Sequence, residues 1–144
     1  MADDPQLADY PVQSSDKIRF ADTDRQGHVN NAVFATFLET GRVEILYDSR
    51  TPLSVEGGEF VIARLELDFR AELKWPGHVA IGTRIASIGR SSMKLSQVLF
   101  QEGRCAALAE TVIVLIDRRS RRPRPLPPGE AARLRTLTGA TVEP

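Results

Sequence analysis

Two aspartates two positions apart, Asp22 and Asp24, precede Gly27 and the pair Asn30-Asn31, after which the apolar residues take up a helical spacing. The stretch is dense in turn formers and helix caps. In one reading Asn30 or Asn31 caps the helix and the aspartates solvate a turn. In the other, the helix mouth is itself a site. The first backbone N–H groups of a helix lack internal partners and lie at its positive end. They can donate to a carbonyl oxygen that gains negative charge during acyl transfer, while a carboxylate opposite attacks the carbon or deprotonates a water. One such donor is worth about 3 kcal/mol, or two to three decades in rate. Spacing alone leaves both readings open.

Other chemistries find no footing. The phosphate-cradling patterns Gly-x-x-x-x-Gly-Lys-Ser/Thr and Gly-x-Gly-x-x-Gly are absent, and Gly89-Arg90-Ser91-Ser92-Met93 lacks the second glycine of a serine nucleophile elbow. His28, His78 and Cys105 show no metal-ligand spacing, so no metal is expected. Nineteen basic and nineteen acidic side chains cancel, leaving no global field to collect nucleic acid or an anionic membrane. Arg118, Arg119, Arg121, Arg122 and Arg124 form a local basic cluster, but without aromatic residues to stack on bases. No apolar run approaches the length of a membrane span, and the acidic start Met1-Ala2-Asp3-Asp4-Pro5 does not resemble a signal peptide. A lone cysteine makes no internal disulfide, so a reducing cytoplasm is the expected home.

The elements that must position the aspartates follow from periodicity. A chain of 144 residues, 42% hydrophobic and 26% charged, suits one core. A loose arm is expected over residues 1–12, a single domain over 13–138 and a flexible tail over 139–144. A short strand is expected over 16–20. The best helix candidate covers 32–47, where Val33, Phe34, Phe37, Leu38 and Ile45 recur at spacings of three, four and seven. Ala35, Val43 and Leu46 fall off that stripe, which predicts a helix covered around most of its circumference. Residues 61–70 alternate strictly, with Val61, Ala63, Leu65, Leu67 and Phe69 on one face. Further strands are expected over 78–88, 93–101 and 105–117, the second with a parity switch between Leu95 and Val98 that signals a bulge or burial on both faces. A short helix over 129–137 ends the pattern. Short connections between strands predict antiparallel neighbours, in a curved α+β sheet of about five strands around one long helix. Its open hydrophobic edges predict association into at least a dimer.

The run Arg19-Phe20-Ala21-Asp22-Thr23-Asp24-Arg25-Gln26-Gly27-His28-Val29-Asn30-Asn31, then Phe34, Phe37, Glu39 and Arg42, resembles the signature of hotdog-fold acyl-CoA thioesterases of the 4-hydroxybenzoyl-CoA thioesterase type. The likeness continues through residues 60–69, 89–92, 114–117 and 124–127, and covers almost the whole chain after residue 15. It implies the hotdog fold, an acyl-CoA substrate cleaved by water without metal or prosthetic group, and a homodimer or homotetramer. It places the family's carboxylate on Asp24, as nucleophile or general base, and its polarising backbone amide on Asn31. Gly27, His28, Val29 and Asn30 are then pocket residues, with His28 a wall and Asn30 a cap or a substrate contact. Arg90, Ser91 and Ser92 resemble the region that contacts the nucleotide of the coenzyme. The arginines of 118–124 are either a solvated tail or phosphate contacts from a neighbouring subunit. Asp22 is expected to tie down the loop, and Glu39 to pair with Arg42 one helical turn on. Two rivals keep the fold but not the chemistry: an acyl-thioester-binding protein without turnover, and a hotdog dehydratase.

Overall fold

In a computed structural model, residues 4–47 and 55–137 are described. Asn30 opens the helix α1 (Asn31–Leu46) by accepting the Ala32 N–H on its side chain at 2.9 Å. Phe34, Phe37, Leu38, Gly41, Arg42, Ile45 and Leu46 form one buried stripe along it. The expected coverage of most of the circumference is not met, because Val43 on the other side is 43% exposed and Tyr47, just past the helix end, 54%. One sheet can cover only one side of a helix.

That sheet consists of β1 (Val12–Ile18), β2 (Gly58–Phe69), β3 (Gly77–Ile88), β4 (Ser92–Gln101) and β5 (Arg104–Asp117). They run in the order β1-β3-β4-β5-β2, every neighbouring pair antiparallel, which is the hotdog arrangement with α1 on one face. A second, short helix, α2 (Pro128–Arg135), buries Ala131 and Leu134 against the end of the core that holds Ile45, Ile85 and Leu115.

Three expectations are corrected. β2 and β3 follow each other in sequence but are not neighbours; β2 pairs β5 at one edge and β3 pairs β1 near the other. Residues 70–76 therefore cross the end of the sheet. They are fastened there by Arg70 and Ala71 N–H groups donating to the Ala106 carbonyl, and by the Gln101 side-chain amide, which bonds both the N–H and the C=O of Lys74 at 2.9 and 2.8 Å. The strict alternation of residues 61–70 is broken by a bulge between Ile62 and Arg64, so Phe60 joins the core before it and Leu65 and Leu67 after it. The arm is not loose where it is described. Residues 7–9 form a 3-10 turn and the ring of Tyr10, 3% exposed, packs on Val98 and Phe100 across the outer face of the sheet, with the Arg84 guanidinium 4.7 Å above it. Tyr10 also accounts for the parity switch of β4, which is buried on both faces here and carries a register shift between Leu99 and Phe100. The expected tail, 139–144, lies outside the described residues. No helix among the described residues is long and apolar enough to cross a membrane.

Candidate active site at the mouth of the central helix

The loop between β1 and α1 is built around Asp22. Its carboxylate, 3% exposed, accepts the Arg19 backbone N–H at 2.8 Å and the guanidinium at 2.8 and 3.2 Å. The Arg19 hydrogen bonds hold this carboxyl below the ordinary aspartate range, with burial opposing them. The Asp22 carbonyl in turn accepts the Asn30 N–H at 2.8 Å. Asp22 thus ties the loop, as expected, and does not open into the cleft.

Asp24 is exposed and sits on a tight turn. Its N–H donates to the His28 carbonyl at 2.7 Å and its own carbonyl accepts the Gly27 N–H at 3.1 Å. Gly27 takes a φ of +83°, a left-handed conformation that a side chain would strain, which explains glycine at this point. Oδ1 of Asp24 accepts the N–H groups of Gln26 (2.8 Å) and His28 (3.3 Å). Its other oxygen, Oδ2, has no partner among the described residues, so the loop orients the carboxylate and leaves one oxygen with its hydrogen-bonding positions unused. The same holds at the helix mouth. Asn30 takes the Ala32 N–H on its side chain and the Val33 N–H on its carbonyl, whereas the Asn31 N–H has no partner among the described residues.

Asp24 and Asn31 line one cleft of about 580 Å³, together with Gln26, His28, Val29 and Phe34 from the same loop and helix. The opposite wall is the crossing segment and its neighbour: Phe69, Arg70, Ala71, Glu72 and Arg104. The Val29 N–H, donating to the Leu73 carbonyl at 2.8 Å, joins the two walls. A carboxylate with a free oxygen, an unpartnered amide at the positive end of a helix and a wall of apolar rings can orient a carbonyl compound for attack.

Of the residues expected at the site, Asp24, His28, Val29 and Asn31 are brought together in the cleft. Gly27 shapes the turn and Asn30 caps the helix. His28 contributes more than a wall, since its Nε2 lies 3.1 Å from a carboxylate oxygen of Glu72. Arg90, Ser91 and Ser92 are elsewhere. Their turn joins the end of β3 to the start of β4, whereas Asp24 lies beyond the start of β3 and the end of β4, so one chain holds them at opposite ends of its sheet. The Ser91 carbonyl accepts the Leu115 N–H and the Arg90 carbonyl the Leu126 N–H, which puts the turn beside the arginine-rich segment instead. Arg42 does not pair with Glu39. It turns inward, with Nη1 3.4 Å from Gln97 Oε1, and burial lowers its pKa while the Glu39 charge opposes that. Sequence reasoning missed Arg70, Glu72 and Arg104, and gave Phe69 no site role. Their only local signal is the end of a strand pattern, and the crossing that carries them over residue 24 has none. Among the described residues no three of His, Cys, Asp and Glu are grouped so as to hold a metal.

Known proteins resemble this chain in sequence and in fold. The acyl-CoA thioester hydrolase YbgC of Escherichia coli O6:H1 is 28% identical over 115 residues, 77% of this chain and 86% of its own length. The crystal structure of a thioesterase of Thermus thermophilus, complexed with coenzyme A and zinc, is 35% identical and superposes with a TM-score of 0.78 over 92% of this chain and 97% of its own. The PA5185 protein of Pseudomonas aeruginosa PAO1, 26% identical, superposes with a TM-score of 0.84 over 96% and 99% of the two chains. Residues 18–134 match the model of the thioesterase-like superfamily, and the chain belongs to that family.

Proposed function

We propose that the protein hydrolyses acyl-CoA thioesters, with Asp24 as nucleophile or general base and the Asn31 N–H polarising the thioester carbonyl. The observation that carries this reading is the opening of both groups, each with an unused hydrogen-bonding position, into one cleft. The 28% identity to an acyl-CoA thioester hydrolase and the likeness to a thioesterase holding coenzyme A support it. In the base route Asp24 Oδ2 takes a proton from water, the hydroxide adds to the carbonyl carbon, and the C–S bond breaks to give a carboxylic acid and free coenzyme A. In the nucleophilic route Oδ2 adds directly, expels the thiolate, and the resulting anhydride is opened by water. In both, negative charge on the carbonyl oxygen meets the Asn31 amide and the positive end of α1.

The working unit in this reading is a homodimer or a homotetramer of such dimers. β2 is an edge strand with Ile62 52% exposed. Two copies paired antiparallel along β2 extend the sheet and remove the edge. Such pairing sets the Gly58 end of one β2 beside the Phe69 end of the other. It carries the Arg90-Ser91-Ser92 turn and the arginines of 118–124 of one copy towards the Asp24 cleft of the other, where guanidinium groups suit the phosphates of the coenzyme.

The test is thiol release from a panel of acyl-CoAs, followed with a thiol-reactive dye, for the wild type and for Asp24→Asn. The substitution keeps size and removes the charge. Turnover is expected to fall by at least about two decades with little change in Tm. Equal rates overturn the site, and tight acyl-CoA binding with no thiol release by the wild type favours the non-catalytic reading.

A further inference from the structure

We propose that Phe69 sets the length of acyl group the cleft accepts. The proposal rests on the thioesterase reading above. Phe34 follows Asn31 by three positions, on the same face of α1, and both line the cleft. It is buried, and Phe69 is held edge-on against it, ring centres 5.0 Å apart at an interplanar angle of 67°. The remaining walls of the cleft carry Gln26, Arg70, Glu72 and Arg104, which suit the amides and charges of a coenzyme arm. The apolar corner made by Val29, Phe34 and Phe69 is left for the acyl group once its carbonyl oxygen meets the Asn31 N–H.

Within that corner the two rings do different work. Phe34 is fixed by the core around it, together with Phe37 and Leu38. Phe69 is the last residue of the edge strand, half exposed, and its register partner on β5 is Ala107. Beside the Phe69 ring, on the same face of the sheet, its partner on β5 offers a methyl group, so the ring is the bulk that bounds the apolar corner on this side. Shortening it lengthens the corner towards Ala107 without touching Asp24, Asn31 or the loop that holds them. An added methylene accommodated in an apolar pocket is worth about tenfold in kcat/KM.

The experiment measures kcat/KM for straight-chain acyl-CoAs from acetyl to decanoyl with the wild type, Phe69→Ala, Phe69→Leu and Asp24→Asn. The ratio of octanoyl to butyryl kcat/KM is expected to rise at least about tenfold in Phe69→Ala, with Phe69→Leu between it and the wild type. If Phe69→Ala does not fold, the shift in Phe69→Leu decides. An Asp24-dependent activity whose chain-length ratio is the same in the wild type and the Phe69 variants overturns the proposal while leaving the function in place. Absence of thiol release by the wild type from every member of the series overturns the function, and this proposal with it.

Discussion

The N–H of Asn30 donates to the carbonyl of Asp22 at 2.8 Å, so the residue that caps the central helix is held by the residue that anchors the loop before it. Asp24 lies between these two points. Its backbone is therefore held by two short backbone links, Asn30 N–H to the Asp22 carbonyl and its own N–H to the His28 carbonyl, and by one buried carboxylate, that of Asp22.

Asp22→Asn tests the anchor. The folded protein holds this carboxyl below its ordinary range through the Arg19 hydrogen bonds, so the unfolded chain binds the proton more tightly. Stability from this group is then present above the usual carboxylate pKa, and is lost as pH falls through the lower, folded value. Because the Arg19 side chain is 70% exposed, water screens the pair, and the loss at pH 7 is expected to be no more than roughly 1–2 kcal/mol. Thermal unfolding of both proteins at pH 7 and below pH 4 checks it: the gap in Tm should narrow in acid. A gap that widens there contradicts the linkage.

Asn30 is tested by separating a cap from a substrate contact. Loss of the Ala32 N–H acceptor in Asn30→Ala should cost about 1 kcal/mol, whereas Asn30→Ser and Asn30→Asp keep an acceptor and should recover most of it. If Asn30 acts only by holding the helix mouth, kcat/KM follows stability across the three variants. A serine variant with wild-type stability and a raised KM assigns Asn30 to the substrate as well.

Gly41 gives a sign reversal. Alanine in a helix interior normally stabilises by about 1 kcal/mol relative to glycine. Here a Cβ would lie 2.6 Å from Thr83 Oγ1, 2.8 Å from Ile81 and 2.9 Å from Gln97 Nε2, atoms of the sheet packed beneath the helix. The Gln97 amide is not free to move, since it donates to Thr83 at 3.0 Å and to the Leu38 carbonyl at 2.9 Å. Gly41→Ala is therefore expected to destabilise by about 1–3 kcal/mol in denaturant unfolding, the ordinary cost of overpacking.

What the sequence reveals is what lies close along the chain. Asp22, Asp24, Gly27, Asn30 and Asn31 fall within ten consecutive positions, and their turn and cap roles follow from residue type and spacing. The helix and the long strands, with boundaries within a few residues, come from periodicity for the same reason. The opposite wall of the cleft is not legible, because Glu72 and Arg104 reach it through a crossing whose fastening, Gln101 to Lys74, joins residues 27 apart. Nor is the break in the alternation of β2, since the bulge at Ala63 is imposed by pairing with β5 and not by its own residue type. Arg42 shows the same limit. A helical spacing of three from Glu39 suggests an ion pair, and tertiary packing draws the guanidinium under the helix towards Gln97.

The separation of Asp24 from Arg90 along one sheet gives the sharpest test of the proposed dimer. If each cleft takes Asp24 from one copy and Arg90 from the other, Asp24→Asn and Arg90→Glu damage different halves of the same site. Each variant alone should be weak: the first in turnover, the second through a KM raised about tenfold or more by charge reversal near the phosphates. After co-refolding in equal amounts, half of the dimers are mixed, and each mixed dimer regains one intact site of two. About a quarter of wild-type activity, measured below KM, should return. If both residues serve the cleft of their own chain, every mixed dimer holds two damaged sites and no activity is recovered. Size-exclusion chromatography of Ile62→Lys supplies the structural arm: a charge on the exposed edge of β2 should shift the protein towards monomer and lower activity with it.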